Sequence, residues 1–282
     1  MKLRKVTAAA AAAFVLSLTA TACGGDDGDS DAGSGSTSGG GSIKIGIKYD
    51  QPGLGLKEPS GDFSGFDVDV ATYVAKELGY EPDQIEFVET KSADRESALA
   101  RGDVKFIAAT YSITDERKQK VDFAGPYLLA HQDLLTKTDS DISEATDLNG
   151  NKLCSVTGST SAQNIHDEIA PKAQLREYGT YSECIAGLQS GAVDAVTTDD
   201  SILAGFAAQE QYKGQFKLAG LKLSNENYGI GVKKGDTETV NKINTALEKM
   251  VSDGAWDKAV KDNFGPANYK NEPAPKIGNI VS

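Results

Sequence analysis

Residues 84–121 read QIEFVETKSADRESALARGDVKFIAATYSITDERKQKV. Four segments follow one another there. QIEFVE alternates apolar and polar residues, the period of a strand. RESALARGD is a short helix that stops at Gly102. VKFIAATY is the next strand, and TDERKQKV begins another helix. Alternation of this kind predicts a parallel sheet covered by helices.

The same rhythm extends both ways. Upstream, IKIGIKY (43–49) is a strand. DVDVATYVAKELG (67–79) puts Val70, Tyr73, Val74 and Leu78 on one helix face, with Gly79 as a stop. Downstream the pattern restarts. QDLLTK is a strand, DISEATDLNG (141–150) a helix, and KLCSV a strand running into the turn and helix of TGSTSAQNIHDEIA. AQLREY and TYSECIAGLQSG, then VDAVTTD and SILAGFAAQ, repeat strand and helix. FKLAG and YGIGVKK are further strands. Residues 236–265 form two helices split near Gly254, and the tail beyond Pro266 is loose. Two α/β units thus stand in succession, with a closing helical section.

A chain of 282 residues has room for two modest domains. Its formal net charge of −12 leaves no basic stripe for nucleic acid. Residues 1–22 form a targeting segment. Lys2, Arg4 and Lys5 precede an apolar run from Ala8 to Ala20 that is short for a membrane span. The small residues ATA then lead into Cys23, which resembles the bacterial lipobox with Ala20 in the usual leucine place. On that reading Cys23 becomes the lipidated first residue; the plain alternative is ordinary cleavage and a free thiol. Residues 23–42, rich in Gly, Ser and Asp, cannot bury enough surface to order themselves and make a flexible tether. In an exported protein the two remaining cysteines, Cys154 and Cys184, are read as a disulfide rather than two buried thiols.

Ligands of open α/β sheets bind beyond the carboxyl ends of the strands. Thr110 and Ser112 stand at such an end. Thr114 is a helix N-cap, and Arg117 sits in the first turn, where the helix dipole disfavours a cation. A guanidinium there suits a carboxylate, although a solvated surface arginine fits the pattern equally. In the second unit, VTGSTS opens a helix whose amides attract anions, with Ser159, Thr160 and Ser161 adding hydroxyls. Asp199 ends another strand, where it either holds an ammonium or caps a helix. Together these groups match an α-amino acid zwitterion held between two lobes.

The motifs SGFDVDVATYVAKELG, ITDERKQKVDFAGPYL, VDAVTTD and YGIGVKKG, in this order, resemble the family 3 solute-binding proteins of bacterial polar amino acid ABC importers. IGIKYDQPGLGLK, IAATYSI, GPYLLAHQ, LCSV and TYSECIAGL are most similar to the Gram-positive glutamate-binding lipoproteins. The resemblance covers nearly all of Ile43 to Gly265. It implies a two-lobed periplasmic-binding-protein (Venus-flytrap) fold, with residues 43–129 plus 228–268 in lobe 1, residues 130–227 in lobe 2, and 269–282 as the loose tail. Two hinge strands, near YLLAHQ and ENYGIG, would join the lobes.

By position in the family, Arg117 resembles the clamp for the ligand α-carboxylate. Ser112 and Thr110 lie beside it, Ser159 and Thr160 fall on the lobe 2 carboxylate loop, and Asp199 matches the ammonium-holding acid. Arg95 and Lys48 occupy places where acidic-amino-acid binders carry cations, and a buried γ-carboxylate needs one. Ser92 and Gln51 add polar contacts. The expected ligand is L-glutamate or a close relative. The expected partners are an ABC permease with its ATPase and, through the lipid, the outer face of the cell membrane. The chain is expected to act as a monomer without cofactor or metal.

Two rival readings accompany this one. A dehydratase-like enzyme on the same fold needs a general acid near the ligand, and neither His131 nor His166 falls at a strand end in the cleft. A ligand-sensing subunit for a separate membrane receptor fits the same residues.

Overall fold

A computed structural model describes residues 41–280. The signal peptide, Cys23 and the tether as far as residue 40 lie outside the described residues. The chain opens with β1 (Ile43–Ile47), the short strands β2 (Asp50–Gln51), β3 (Gly55–Lys57) and β4 (Phe63–Ser64), and α1 (Phe66–Glu77). β5 (Ile85–Glu89), α2 (Arg95–Arg101), β6 (Phe106–Ile107) and α3 (Asp115–Lys120) complete the first unit. A 17-residue strand, β7 (Val121–Lys137), leads out of it. Next come β8 (Lys152–Val156), α4 (Thr160–Asn164), β9 (Gln174–Tyr178), α5 (Tyr181–Ser190), β10 (Ala195–Asp199) and α6 (Asp200–Ala207). β11 (Phe216–Leu218), β12 (Asn225–Lys233), α7 (Thr237–Ser252) and α8 (Ala255–Phe264) end the regular structure.

The main sheet runs β5-β1-β6-β12-β7-β10-β8-β9, with β11 also on β7. β1 pairs in parallel with β5 and β6, and β8 in parallel with β9 and β10. These are the parallel sheets that the alternation predicts, one per lobe. β7 and β12 join them. The first half of β7 pairs antiparallel with β12, and Gln132–Thr136 pair antiparallel with β10. The fold is thus the two-lobed α/β arrangement with two hinge strands, β7 and β12.

Apolar packing follows the pattern of the sequence. Val70 and Val74 of α1 are fully buried against the sheet, as their spacing requires. Cys154 of β8 and Cys184 of α5 are bonded, with S–S at 2.02 Å. On the chain-entropy account, a closed loop of 30 residues stabilises by about 3–4 kcal/mol.

Three local expectations change. DISEATDLNG forms only a 3-10 turn at Ala145–Leu148. Its own side chains compete with the helix: Asp147 accepts from the Ser143 and Glu144 N–H groups, and Asn151 donates to the Asp147 carbonyl. VKFIAATY keeps only Phe106–Ile107 as strand, because Thr110 turns left-handed with φ of 44°. The tail expected to be loose has no helix or strand, yet side chains and backbone fasten it. Tyr269 donates to Asp200 at 2.8 Å, Glu272 bonds His131 and Lys222, and the Gly278 N–H reaches the Gly125 carbonyl at 2.7 Å.

Candidate functional site

The lobes meet over a cleft at the strand ends. Ser182 of α5 donates through its N–H and hydroxyl to Asp50. Gly158 has φ of +79°, and a Cβ there would lie 2.8 Å from the Ala93 Cα. Gly205 of α6 packs so close that a Cβ would meet the Pro52 carbonyl oxygen at 2.0 Å. Only glycine allows these approaches.

On the first lobe the chain leaves β6 and turns at Thr110 before entering α3. Thr114 caps α3 by accepting from the Arg117 N–H at 3.1 Å, as expected. The Arg117 side chain does not point to solvent; it is 7% exposed. Its Nη1 donates to the Ser112 carbonyl at 2.7 Å and its Nη2 to the Gly158 carbonyl of the second lobe at 2.9 Å.

Arg95 is buried beside it. It donates to the carbonyls of Ser92, Ala109 and Thr110 at 3.2 Å and to Gly158 at 3.4 Å. The Tyr111 ring carries both cations: the Arg95 guanidinium lies 4.0 Å from its centroid and that of Arg117 5.2 Å. Lys48 is also buried and donates to the Ser92 hydroxyl at 2.9 Å. Gln51 accepts from the Thr110 hydroxyl at 3.2 Å.

On the second lobe, Ser159 caps α4 by accepting from the Ala162 N–H at 3.2 Å. Thr160 donates to Glu226 of β12 at 3.0 Å. Asp199 stands at the cap position of α6 but makes no capping bond. Asp200, the first residue of the helix, accepts from the Ser201 N–H at 2.8 Å. The Asp199 carboxylate accepts a hydrogen bond from the Tyr228 hydroxyl instead of capping the helix. The capping alternative for Asp199 fails on this geometry.

Eight of the ten expected residues line one enclosed cavity: Ser92, Arg95, Thr110, Ser112, Arg117, Ser159, Thr160 and Asp199. Lys48 and Gln51 line an adjoining one, and Tyr181 borders both. The central cavity measures about 10 Å³, one water's worth, so an amino acid must part the lobes to enter. Ser161, Tyr181 and Ile202 complete its wall. The Ser161 hydroxyl and the Gln51 amide nitrogen are buried without a hydrogen-bond partner. Neither Tyr181 nor Ile202 carried a signal in sequence, since an aromatic and an aliphatic at helix starts read as core.

Burial dominates the electrostatics. It pushes the Lys48 ammonium well below its ordinary range, and the neighbouring Arg95 pushes the same way. Burial, then Arg117, brings Arg95 down to about 10. Burial raises Asp67 to about 6 and, with nearby Glu226, raises Asp199 well above the usual carboxylate range. Among the described residues, no carboxylate lies within ion-pair distance of Lys48 or Arg95; the nearest such contact in the cluster joins Arg117 Nε to Glu96 at 3.9 Å. The cleft therefore holds basic side chains without an ion-pair partner on one lobe and an acid on the other, in buried surroundings that disfavour their charges until an opposite charge arrives. That is the complement of a zwitterion with an extra carboxylate.

Residues 43–266 match the bacterial extracellular solute-binding proteins, family 3. A glutamate-binding protein of Corynebacterium efficiens is 48% identical over 236 residues, which cover 80% of this chain and 79% of that protein. A glutamine-binding protein of an ABC transporter in Bacillus subtilis is 42% identical over 221 residues, covering 78% of this chain and 80% of that one. Among solved structures, an ancestral arginine-binding protein bound to glutamine superimposes with a TM-score of 0.74 at 36% identity, covering 80% of this chain and 98% of that one.

Proposed function

We propose that this chain, which belongs to the bacterial extracellular solute-binding proteins, family 3, captures L-glutamate between its lobes and delivers it to an ABC importer. The observation that carries the ligand is the pair of buried basic side chains, Lys48 and Arg95, with no carboxylate within ion-pair distance among the described residues. Leaving a charge buried and unpaired is costly, so a ligand that brings its own second carboxylate is favoured over its amide. The name of the Corynebacterium relative agrees with this choice.

In this reading Arg117 clamps the α-carboxylate with two parallel N–H bonds. Asp199 takes the ammonium. Lys48 and Arg95 neutralise the γ-carboxylate, with Ser92 and Gln51 beside them. Thr110, Ser112, Ser159 and Thr160 supply the remaining hydrogen bonds. Lobe 1 comprises residues 43–129 plus 228–268, and lobe 2 residues 130–227. Glutamate favours the closed form because only there does it touch both lobes. The permease then receives the closed shape, which the lipid on Cys23 and the tether keep near the membrane. In this reading the ligand leaves unchanged; His131 bonds Glu272 at 3.1 Å and is no part of the cavity wall.

Calorimetry on the purified chain with L-glutamate, L-glutamine and L-aspartate tests this. Glutamate is expected to bind most tightly. Heat with none of the three, or preference for glutamine, would sink the glutamate assignment.

A further inference from the structure

Asp67 is a fully buried carboxylate outside the set of ligand contacts, in the first turn of α1. Its Oδ2 accepts from the Thr110 N–H at 2.8 Å and its Oδ1 from the Tyr127 hydroxyl at 2.7 Å. Thr110 is β-branched and left-handed, a conformation that persists only where its surroundings impose it. The carbonyl of this residue accepts from Arg95 Nη1, and its hydroxyl donates to Gln51. One carboxylate thus fixes the turn on which the cleft's polar groups are arranged.

Asp67 also carries charge. The cations that act on it are Lys48 and Arg95, and at Lys48 the neighbouring charges are Arg95, then Asp50, Arg117 and Asp67. A carboxylate this close to the turn is felt by both cations. It also subtracts from the attraction they exert on an incoming carboxylate.

We propose that Asp67 is a positioning residue that sets the site's preference between acidic and amide amino acids. Through the Thr110 N–H it holds the turn that presents Arg95 and Gln51. As the buried anion behind Lys48 and Arg95 it moderates their pull on a second carboxylate. This inference rests on the glutamate reading above.

The test is parallel calorimetry of the purified wild-type chain and two variants with glutamate and glutamine. Asp67→Asn keeps an acceptor for the Thr110 N–H and removes the charge. The ratio of glutamate to glutamine affinity is expected to rise on the order of ten-fold. Asp67→Ala removes the anchor as well and is expected to weaken both ligands. A purely structural role would shift both affinities together in each variant. An Asp67→Asn ratio within about two-fold of wild type therefore overturns the proposal, as does an Asp67→Ala variant that binds both ligands undiminished. Loss of the cooperative thermal transition in both variants would make Asp67 a folding residue only and overturn it too. If wild type binds glutamate but the ratio does not move, this inference alone falls. If wild type binds neither ligand, the glutamate reading falls and takes the inference with it.

Discussion

Arg117 of the first lobe donates through Nη2 to the Gly158 carbonyl of the second at 2.9 Å. The same guanidinium is anchored within its own lobe by the Ser112 carbonyl at 2.7 Å. It is thus pre-oriented at the junction, with further N–H groups left for a carboxylate. Lysine has no such fork. Arg117→Lys is expected to weaken glutamate binding by about 1.5–3 kcal/mol, the loss of a charge-assisted hydrogen bond while the charge is kept. Titration calorimetry reads it. Unchanged affinity would remove Arg117 from the site.

Lys48 gives the cleaner selectivity test. Arg95 also satisfies four backbone carbonyls, so its removal mixes binding with stability. Among the described residues the Lys48 ammonium has one hydrogen bond, to Ser92. Lys48→Met is expected to cost glutamate on the order of 2 kcal/mol or more while sparing glutamine. Equal losses for the two ligands would deny Lys48 a role in selectivity.

Asp199 separates function from stability. Its carboxylate is buried near Glu226 and is raised by burial and by that neighbour. Asp199→Asn removes the anion offered to an ammonium, so binding is expected to fall by about 2–5 kcal/mol. The ligand-free protein should hold its stability or gain about 1 kcal/mol, since a buried charge is relieved. Denaturant unfolding beside calorimetry checks both. A variant that binds normally would overturn the ammonium assignment.

Asp67 leaves a mark on the pH dependence of folding. Burial raises its folded pKa to about 6, against roughly 3.9 in an unfolded chain. Between those values the folded state holds a proton that the unfolded state has lost. The contribution of Asp67 to stability therefore falls as pH rises from about 4 to about 6, by about 2–3 kcal/mol in total, and levels off above. Asp67→Asn should remove that decline. Equal slopes for the two proteins, measured by unfolding across this range, would contradict it.

The Cys154–Cys184 bond joins β8 to α5, the elements that lead into Ser159 and Tyr181. Cys154→Ser with Cys184→Ser is expected to lower unfolding free energy by about 2–5 kcal/mol. Urea midpoints of the two proteins decide it.

The amino-acid sequence alone determined the α/β order, the disulfide partners and most of the cleft. The order rests on the period of two or 3.6 and on glycine stops, the disulfide on the two cysteines left in an exported chain, and the cleft on hydroxyls and charges at strand ends together with the family resemblance. It also placed Ser159 and Thr160 at a helix start and the cations Lys48 and Arg95 in the first unit. Tertiary structure decided the rest. Whether the Asp199 side chain caps its helix or lines the cleft was decided by its bond to Tyr228 of β12, which no spacing reveals. The left-handed Thr110 donates its N–H to Asp67, 43 residues away. The tail, featureless in sequence, is fastened by contacts with His131, Asp200, Lys222 and Gly125. Local patterns record what a segment prefers by itself. Burial, shared hydrogen bonds and unpaired charge arise only when distant segments meet.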